Sequence, residues 1–257
     1  MPTPFGKHFK NKAHKTMHDQ DAVQAEQLWL SFGSDEPVLQ DVSFTIPKGS
    51  ISAIIGPNGS GKTTLLKVLL GLLSPQQGKV WVLGKTPQQA RGEVAYVPQR
   101  FTFDKSFPIT ALEFLQLSHP HCSKEKIEQY LSHLNIAETL HMKLGSLSGG
   151  QLQRVLIERS MLGDPKVLFL DEPGAGIDIA GAQTFYQLVL HLHREHGSTV
   201  VMVSHELDVV ANYADLVLCL NRKLVCQGRP EQVLTPDTLK QLYGKEAVLY
   251  HHKHQEG

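Results

Sequence analysis

The segment ISAIIGPNGSGKTT, residues 51–64, constrains the fold of this chain more than any other part of the sequence. An apolar run leads into a glycine-rich loop that fits the spacing G-x-x-x-x-G-K-[ST] at Gly56, Gly61, Lys62 and Thr63. Glycines let the backbone curl so that its N–H groups converge on phosphate oxygens, and the helix that follows adds its N-terminal dipole. The segment therefore predicts a phosphate-binding loop between a buried strand and an apolar helix.

The residues of this loop have separate predicted roles. Lys62 is expected to contact the β- and γ-phosphates of ATP as a point charge, and Thr63 is expected to offer its hydroxyl to Mg²⁺. A glycine-rich turn with an incidental lysine is the alternative, but the strand before it and the apolar helix after it argue against that interpretation. We predict that ATP is bound by the whole loop, which comprises Gly56, Pro57, Asn58, Gly59, Ser60, Gly61, Lys62, Thr63 and Thr64.

Two further apolar runs end in residues that suit nucleotide hydrolysis. VLFLDEP places Asp171 at the end of a predicted strand, where it can hold Mg²⁺ directly or through water, and places Glu172 beside it to accept a proton from the attacking water. VVMVSHE places His205 at another strand end, where we expect it to face the γ-phosphate. Paired acids can be a solvated strand end and a lone histidine is often structural, but the phosphate-binding loop favours the catalytic interpretation.

The distribution of apolar runs predicts an α/β fold. Compact runs without polar alternation indicate strands that are buried on both faces of a largely parallel sheet. These runs lie at 51–55, 94–97, 167–170, 200–204 and 217–220. Upstream, AEQLWLSF and DVSFTI are separated by the turn-forming GSDEP and predict an N-terminal antiparallel β portion.

The same pattern predicts the domain organisation. Residues from about 99 to 164 form helical patterns without comparable strand runs, which indicates an inserted α-helical subdomain. Residues 1–22 are polar and rich in Lys and His, and we expect them to be a disordered tail. An ATPase domain is predicted for residues 23–235, and a C-terminal extension with a histidine-rich end is predicted for residues 236–257.

Composition excludes several classes of function. The chain carries 25 basic and 25 acidic residues, so its formal charge does not argue for binding to nucleic acid or to a membrane surface. The longest apolar stretch, LLKVLLGLL, is far shorter than the roughly 20 residues that a membrane-spanning helix needs. Cys122, Cys219 and Cys226 are odd in number and widely spaced, and we expect free thiols in a reducing cytoplasm.

The stretch LSGGQLQRVLIERSML, which begins at Leu147, resembles the signature sequence of ATP-binding cassette ATPases. Ser148, Gly149, Gly150 and Gln151 would open a helix there and expose a hydroxyl and N–H groups to an anion. The resemblance extends over residues from about 25 to 228 and implies a P-loop NTPase core of the RecA-like type. It also implies a head-to-tail dimer, in which each ATP lies between the phosphate-binding loop of one copy and the signature of the other.

Further roles follow from this resemblance. Gln99 in VPQ matches the loop that senses Mg²⁺ and the membrane partner, and Phe32 in SFG falls where an aromatic ring stacks on adenine. Asp178 matches the aspartate that communicates across the dimer, while Glu172 and His205 match the catalytic glutamate and the switch histidine. A core aromatic is the alternative for Phe32, which replaces the commoner tyrosine.

The chain departs from the family pattern directly after the paired acids. The family usually has Thr or Ser soon after the Glu-Pro, whereas this chain reads EPGAGID. We expect Gly174 and Gly176 to loosen the turn that leads to Asp178.

The segment VMVSHELDVVANYADLVLCLNRKLVCQGRPEQVL, together with SFG and GIDIAGAQ, resembles ATPases of bacterial zinc importers and of their manganese relatives. This resemblance implies an ATP-hydrolysing subunit that is peripheral to the cytoplasmic face of the inner membrane. Its implied partners are a permease dimer, a second copy of itself and, indirectly, an extracytoplasmic metal-binding protein. Manganese, iron or an iron chelate stays open as cargo, and a soluble cassette ATPase that acts on nucleic acid or ribosomes is the alternative from another class.

The 14 histidines raise the separate question of a bound metal. His193 and His196 share a predicted helix face, and His119, His121 and Cys122 share a short loop, but neither set reaches the four ligands of a stable zinc site. The terminal HHKH at 251–254 is denser and could capture metal transiently or regulate activity, and a metal-storage or metallochaperone protein is a further alternative. We expect that Zn²⁺ is cargo of the permease rather than a resident of this chain.

Overall fold

A small antiparallel sheet forms the N-terminal part of the computed structural model, which describes residues 20–33, 36–99, 101–133, 137–174 and 179–244. Its strands are β1 (Asp21–Leu30), β2 (Leu39–Pro47) and, later in the chain, β4 (Gln77–Val82). Their order is β2-β1-β4, and both pairings are antiparallel. The predicted antiparallel portion is confirmed.

A six-stranded sheet forms the centre of the molecule, in the order β5-β6-β7-β3-β8-β9. The first five of these strands are parallel to one another, and only β9 runs antiparallel, against β8. Every residue of β3, β6 and β7 is buried, which explains why their sequences lack polar alternation. The strands are β3 (Ile51–Ile55), β5 (Val94–Val97), β6 (Val167–Asp171), β7 (Thr199–Val203), β8 (Leu216–Asn221) and β9 (Lys223–Gly228).

Helices cover both faces of the central sheet and build the inserted subdomain. They are α1 (Lys62–Leu69), α2 (Ala111–Ser118), α3 (Lys124–His133), α4 (Gly149–Met161), α5 (Ile179–His196), α6 (Leu207–Tyr213), α7 (Pro230–Val233) and α8 (Pro236–Tyr243). Helices α2, α3 and α4 lie within the segment predicted as helical, and Thr110 starts α2 through a capping box with Glu113. The described residues contain no helix that is both long and apolar enough to cross a bilayer.

The apolar core is divided by the sheet. One cluster joins α1 to the small sheet through residues such as Leu66 and Phe44, and a second lies under α5 around Phe185. A third cluster, which includes Leu115 and Val155, holds α2 against α4. The α/β fold with a largely parallel sheet is thus confirmed.

Three details differ from the sequence prediction. Strand β1 begins at Asp21, inside the predicted tail, and its Ala22 carbonyl accepts a hydrogen bond from the Leu83 amide. Strand β4 has no strong apolar run and was missed. Residues 1–19 and 245–257, which include the histidine-rich ends, lie outside the described residues.

The third difference concerns the cysteines. Strands β8 and β9 place Cys219 directly opposite Cys226, and the structure joins them in a disulfide with a Cα–Cα distance of 5.0 Å. The prediction of free thiols is therefore wrong for this pair, because antiparallel pairing brings together two residues that are seven apart in sequence. Cys122 is a free cysteine.

Candidate nucleotide-binding and hydrolysis site

The phosphate-binding loop connects β3 to α1. Gly61 precedes the helix with φ +97°, a left-handed conformation that favours glycine. Gly56 is required for a different reason, because a Cβ atom there would lie 2.0 Å from the Leu220 carbonyl oxygen of β8. Within the described chain no side chain caps α1, so the first amides of this helix are left to bind an anion.

Lys62 is the first residue of α1, and it is only 6% exposed because its side chain reaches back into the loop. Its ammonium donates hydrogen bonds to the carbonyl oxygens of Gly56 at 2.8 Å and Pro57 at 2.9 Å. Burial lowers the pKa of Lys62, while the nearby carboxylates of Glu172 and Asp171 act in the opposite direction. The structure therefore places a buried cation at the point where the predicted phosphate contacts converge.

Asp171 ends β6 and is 3% exposed. Its Oδ1 lies 3.4 Å from the Thr63 hydroxyl, so a carboxylate and a hydroxyl are side by side. Burial, and then the charge of Glu172, raises the pKa of Asp171. Hard oxygen donors of this kind suit Mg²⁺, and the residues present fit the ion that the sequence predicts.

Tyr96 of β5 is a contact of Asp171 that the sequence analysis missed. Its hydroxyl lies near the Asp171 carboxylate, and burial together with the Asp171 charge raises the pKa of Tyr96 to about 12. The hydroxyl is therefore a neutral donor near neutral pH. The sequence did contain a signal: Tyr96 is the one side chain with a hydroxyl in the run VAYV, and this run forms β5, which pairs with β6.

Glu172 follows directly and has a backbone φ of +44°, which is uncommon for a residue with a side chain. Its amide donates to the Val203 carbonyl at 2.9 Å, which fixes the turn against β7. The Gln99 amide donates to Oε2 of Glu172 at 2.5 Å, and Nδ1 of His205 lies 3.6 Å from the same oxygen. The structure thus brings together the three residues that were predicted to be catalytic.

A cleft of about 440 Å³ runs along the phosphate-binding loop. Residues of the loop from Asn58 to Thr64 line it, and Gln99 and Glu172 line its far side. Phe32 is 52% exposed and also lines the cleft, which excludes the alternative of a core aromatic. This position leaves the ring available for stacking on a base.

The signature residues lie apart from this cleft. Ser148 caps α4: its hydroxyl accepts a hydrogen bond from the Gln151 backbone amide at 3.3 Å, and its own amide donates to Oε1 of Gln151 at 2.9 Å. Among the described residues that line the cleft, none belongs to the signature segment 148–151. Asp178 lies outside the described residues.

Two of the histidines that were considered as metal ligands, His193 and His196, have other contacts. His193 Nδ1 lies 2.7 Å from the Ser198 carbonyl oxygen, and His196 Nδ1 lies 3.4 Å from an Asp164 carboxylate oxygen. Across the part of the chain that the structure describes, no group of three or more His, Cys, Asp or Glu side chains is arranged to hold a metal ion.

Comparison with known proteins gives consistent results. The ABC transporter family matches residues 39–175. The zinc import ATP-binding protein ZnuC of Pseudomonas aeruginosa strain UCBPP-PA14 is 41% identical over 92% of this chain and 86% of its own length. ZnuC of Pseudomonas putida is 37% identical over 90% of this chain and 88% of its own length. A solved nucleotide-free ATP-binding cassette from an ABC transporter has a TM-score of 0.74 and 28% identity, and the match covers 89% of this chain and 97% of that one.

Proposed function

Because the chain belongs to the ABC transporter family, we propose that it is the ATP-hydrolysing subunit of a zinc importer. The observation that carries the proposal is the identity of 37–41% over about nine tenths of the chain to proteins named for zinc import. The cleft supports it independently, because a buried lysine, paired acids and a histidine converge there.

The proposed chemistry is in-line attack of water on the γ-phosphate of ATP. The amides of the loop and Lys62 bind the phosphates, and Phe32 stacks on the adenine. Glu172 accepts the proton of the attacking water, and His205 faces the γ-phosphate beside it. Gln99 holds the Glu172 carboxylate through the hydrogen bond at 2.5 Å.

We assign the Mg²⁺ of MgATP to Thr63, Asp171 and Gln99. The bound ion would neutralise charge that develops on the phosphate oxygens. Tyr96 orients the Asp171 carboxylate from the strand that leads to Gln99.

The separation of the signature segment from the cleft supports a head-to-tail dimer. Ser148, Gly149, Gly150 and Gln151 of one copy would face the ATP of the other, and Asp178 would communicate between the copies. Such closure would drive a permease dimer from the cytoplasmic face of the inner membrane, with an extracytoplasmic metal-binding protein that delivers the cargo. The inserted helical subdomain and the Gln99 loop would transmit the movement.

Metal uptake into vesicles tests this proposal. The chain would be reconstituted with its permease and binding protein, and Zn²⁺ and Mn²⁺ would be offered separately with and without ATP. We expect ATP-dependent uptake of Zn²⁺ that Glu172→Gln abolishes. Preferential uptake of Mn²⁺ would change the proposed cargo from Zn²⁺ to Mn²⁺. ATP hydrolysis without uptake of either metal would overturn the assignment to metal import.

A further inference from the structure

Gly174 lies in the loop that carries Glu172 and packs against the loop that carries His205. A Cβ atom at Gly174 would lie 2.5 Å from Oε1 of Glu206 and 3.2 Å from the hydroxyl oxygen of Tyr186. The φ angle of Gly174 is outside the left-handed region, so a side chain at this position would be opposed by the end of the Glu206 side chain and not by backbone conformation. Gly174 itself is buried, and the expectation that Gly174 and Gly176 loosen the turn that leads to Asp178 stays a prediction, because residues 175–178 lie outside the described residues.

Tyr186 of α5 is the second side chain that packs against Gly174. It is 2% exposed, and its ring stacks on Tyr213 of α6 with centroids 5.9 Å apart. Burial, and then the Glu206 charge, raises the pKa of Tyr186, which keeps the phenol neutral. Its hydroxyl lies beside Ser204 and the Gly174 backbone, but among the described residues it forms no well-aligned hydrogen bond.

Glu206 lies next to both Gly174 and the loop of His205. It follows His205 directly, and its amide donates to the Ser204 hydroxyl at 3.0 Å. Its side chain reaches over Gly174, two residues after Glu172. Two contacts therefore hold the Glu172 turn: the hydrogen bond from the Glu172 amide to the Val203 carbonyl, and the contact between Gly174 and Glu206.

We propose that Glu206 is a positioning residue for ATP hydrolysis. Its carboxylate occupies the space that the missing side chain of Gly174 leaves, and this contact fixes the turn after Glu172 against the loop of His205. Small displacements of a catalytic group cost large factors in rate, so the contact acts on turnover rather than on ATP binding. The inference rests on the proposed roles of Glu172 and His205.

A reciprocal pair of substitutions tests the contact in the full chain with its permease. Gly174→Ala places a methyl group against Glu206, and we expect kcat to fall about tenfold while KM for ATP stays within about twofold. Adding Glu206→Asp retracts the carboxylate, and we expect the double variant to recover to within about threefold of the parent kcat. Gly92→Ala is the matched control, because a Cβ atom there meets nothing within 4 Å.

Thermal melting shows whether Gly174→Ala folds. If it does not, Glu206→Ala still tests the inference, because this substitution removes atoms and introduces no clash. We expect Glu206→Ala to lower kcat with little change in KM. A parental kcat for Glu206→Ala, or a double variant no faster than Gly174→Ala, would overturn the inference. Failure of this inference can be distinguished from failure of the proposed function, because in the second case Glu172→Gln would itself still hydrolyse ATP.

Discussion

The side-chain amide of Gln99 donates a hydrogen bond to Oε2 of Glu172 at 2.5 Å, and His205 approaches the same oxygen at 3.6 Å. One carboxylate oxygen therefore faces a residue from the end of β5 and a residue from the end of β7. Because these parallel strands end at one edge of the sheet, the contact needs no long-range rearrangement. If the loop after β5 moved, the hydrogen bond from Gln99 to Glu172 would break. A partner that binds this loop would therefore act directly on the proposed base.

The Gln99 contact predicts a defect in turnover. Gln99→Ala removes the donor, and at saturating Mg²⁺ we expect kcat to fall about tenfold with KM for ATP nearly unchanged, because the group acts on the geometry of Glu172. Steady-state hydrolysis with and without the permease measures this effect. Gln241→Ala, at an exposed position on α8, is the control. An unchanged kcat for Gln99→Ala would show that the hydrogen bond has no role in catalysis.

Phe32 offers a test of base stacking. Phe32→Ala is expected to raise the Kd for ATP about tenfold, since stacking of a base on an aromatic ring contributes roughly 1–3 kcal/mol. Phe32→Tyr keeps the ring and is expected to bind like the parent. Titration calorimetry on hydrolysis-deficient Glu172→Gln protein measures both affinities. Leu72→Ala, which removes an apolar side chain that is 59% exposed and does not line the cleft, is the control, and an equal loss there would contradict the stacking role.

Tyr96 is expected to affect the requirement for Mg²⁺. Tyr96→Phe removes the hydroxyl that orients Asp171 and keeps the ring, so we expect the Mg²⁺ concentration for half-maximal activity to rise about tenfold. Activity at saturating Mg²⁺ should stay close to the parent. Melting temperature in ATP at increasing Mg²⁺ gives a second readout that does not depend on turnover. Tyr213→Phe is the control, and identical Mg²⁺ titrations for Tyr96→Phe and the parent would remove Tyr96 from this role.

The strands that carry the site could be predicted from the sequence because each is buried on both faces. Runs such as ISAII and VLFL contain no alternation that would suit another structure, and the carboxyl ends of parallel strands meet at one edge. Gly56, Asp171 and His205 could therefore be grouped from the sequence alone. Phe32 could not, because whether an aromatic side chain is core or surface depends on the packing of the small sheet.

Contacts between distant loops were beyond sequence analysis. Strand β4 was missed because its register depends on β1, where Gly78 passes so close that a Cβ atom would lie 2.3 Å from the Glu26 carbonyl oxygen. Similarly, nothing in EPGAGID indicates that the side chain of Glu206, from another loop, packs against Gly174. Spacing along the chain gives no information about a side chain that arrives from elsewhere in the fold.

Glu158 of α4 predicts a dependence of stability on pH. Its side chain is fully buried, and among the described residues neither carboxylate oxygen has a hydrogen-bond partner. Burial raises the pKa of Glu158 from 4.5 to about 8. The folded state therefore binds a proton more tightly than the unfolded state, and this contribution to stability is lost as pH rises from the unfolded pKa towards the folded one.

Urea unfolding at a series of pH values tests this prediction. We expect the parent to lose stability relative to Glu158→Gln by about 1 kcal/mol per pH unit above about pH 5, with a plateau above about pH 8. Glutamine keeps the shape of the side chain but does not titrate, so the difference between the two proteins isolates the carboxyl group. Glu231→Gln, at an exposed position on α7, controls for the general loss of a charge and should show no such trend. A difference between the parent and Glu158→Gln that stays constant from pH 5 to pH 9 would mean that Glu158 has the same proton affinity in both states.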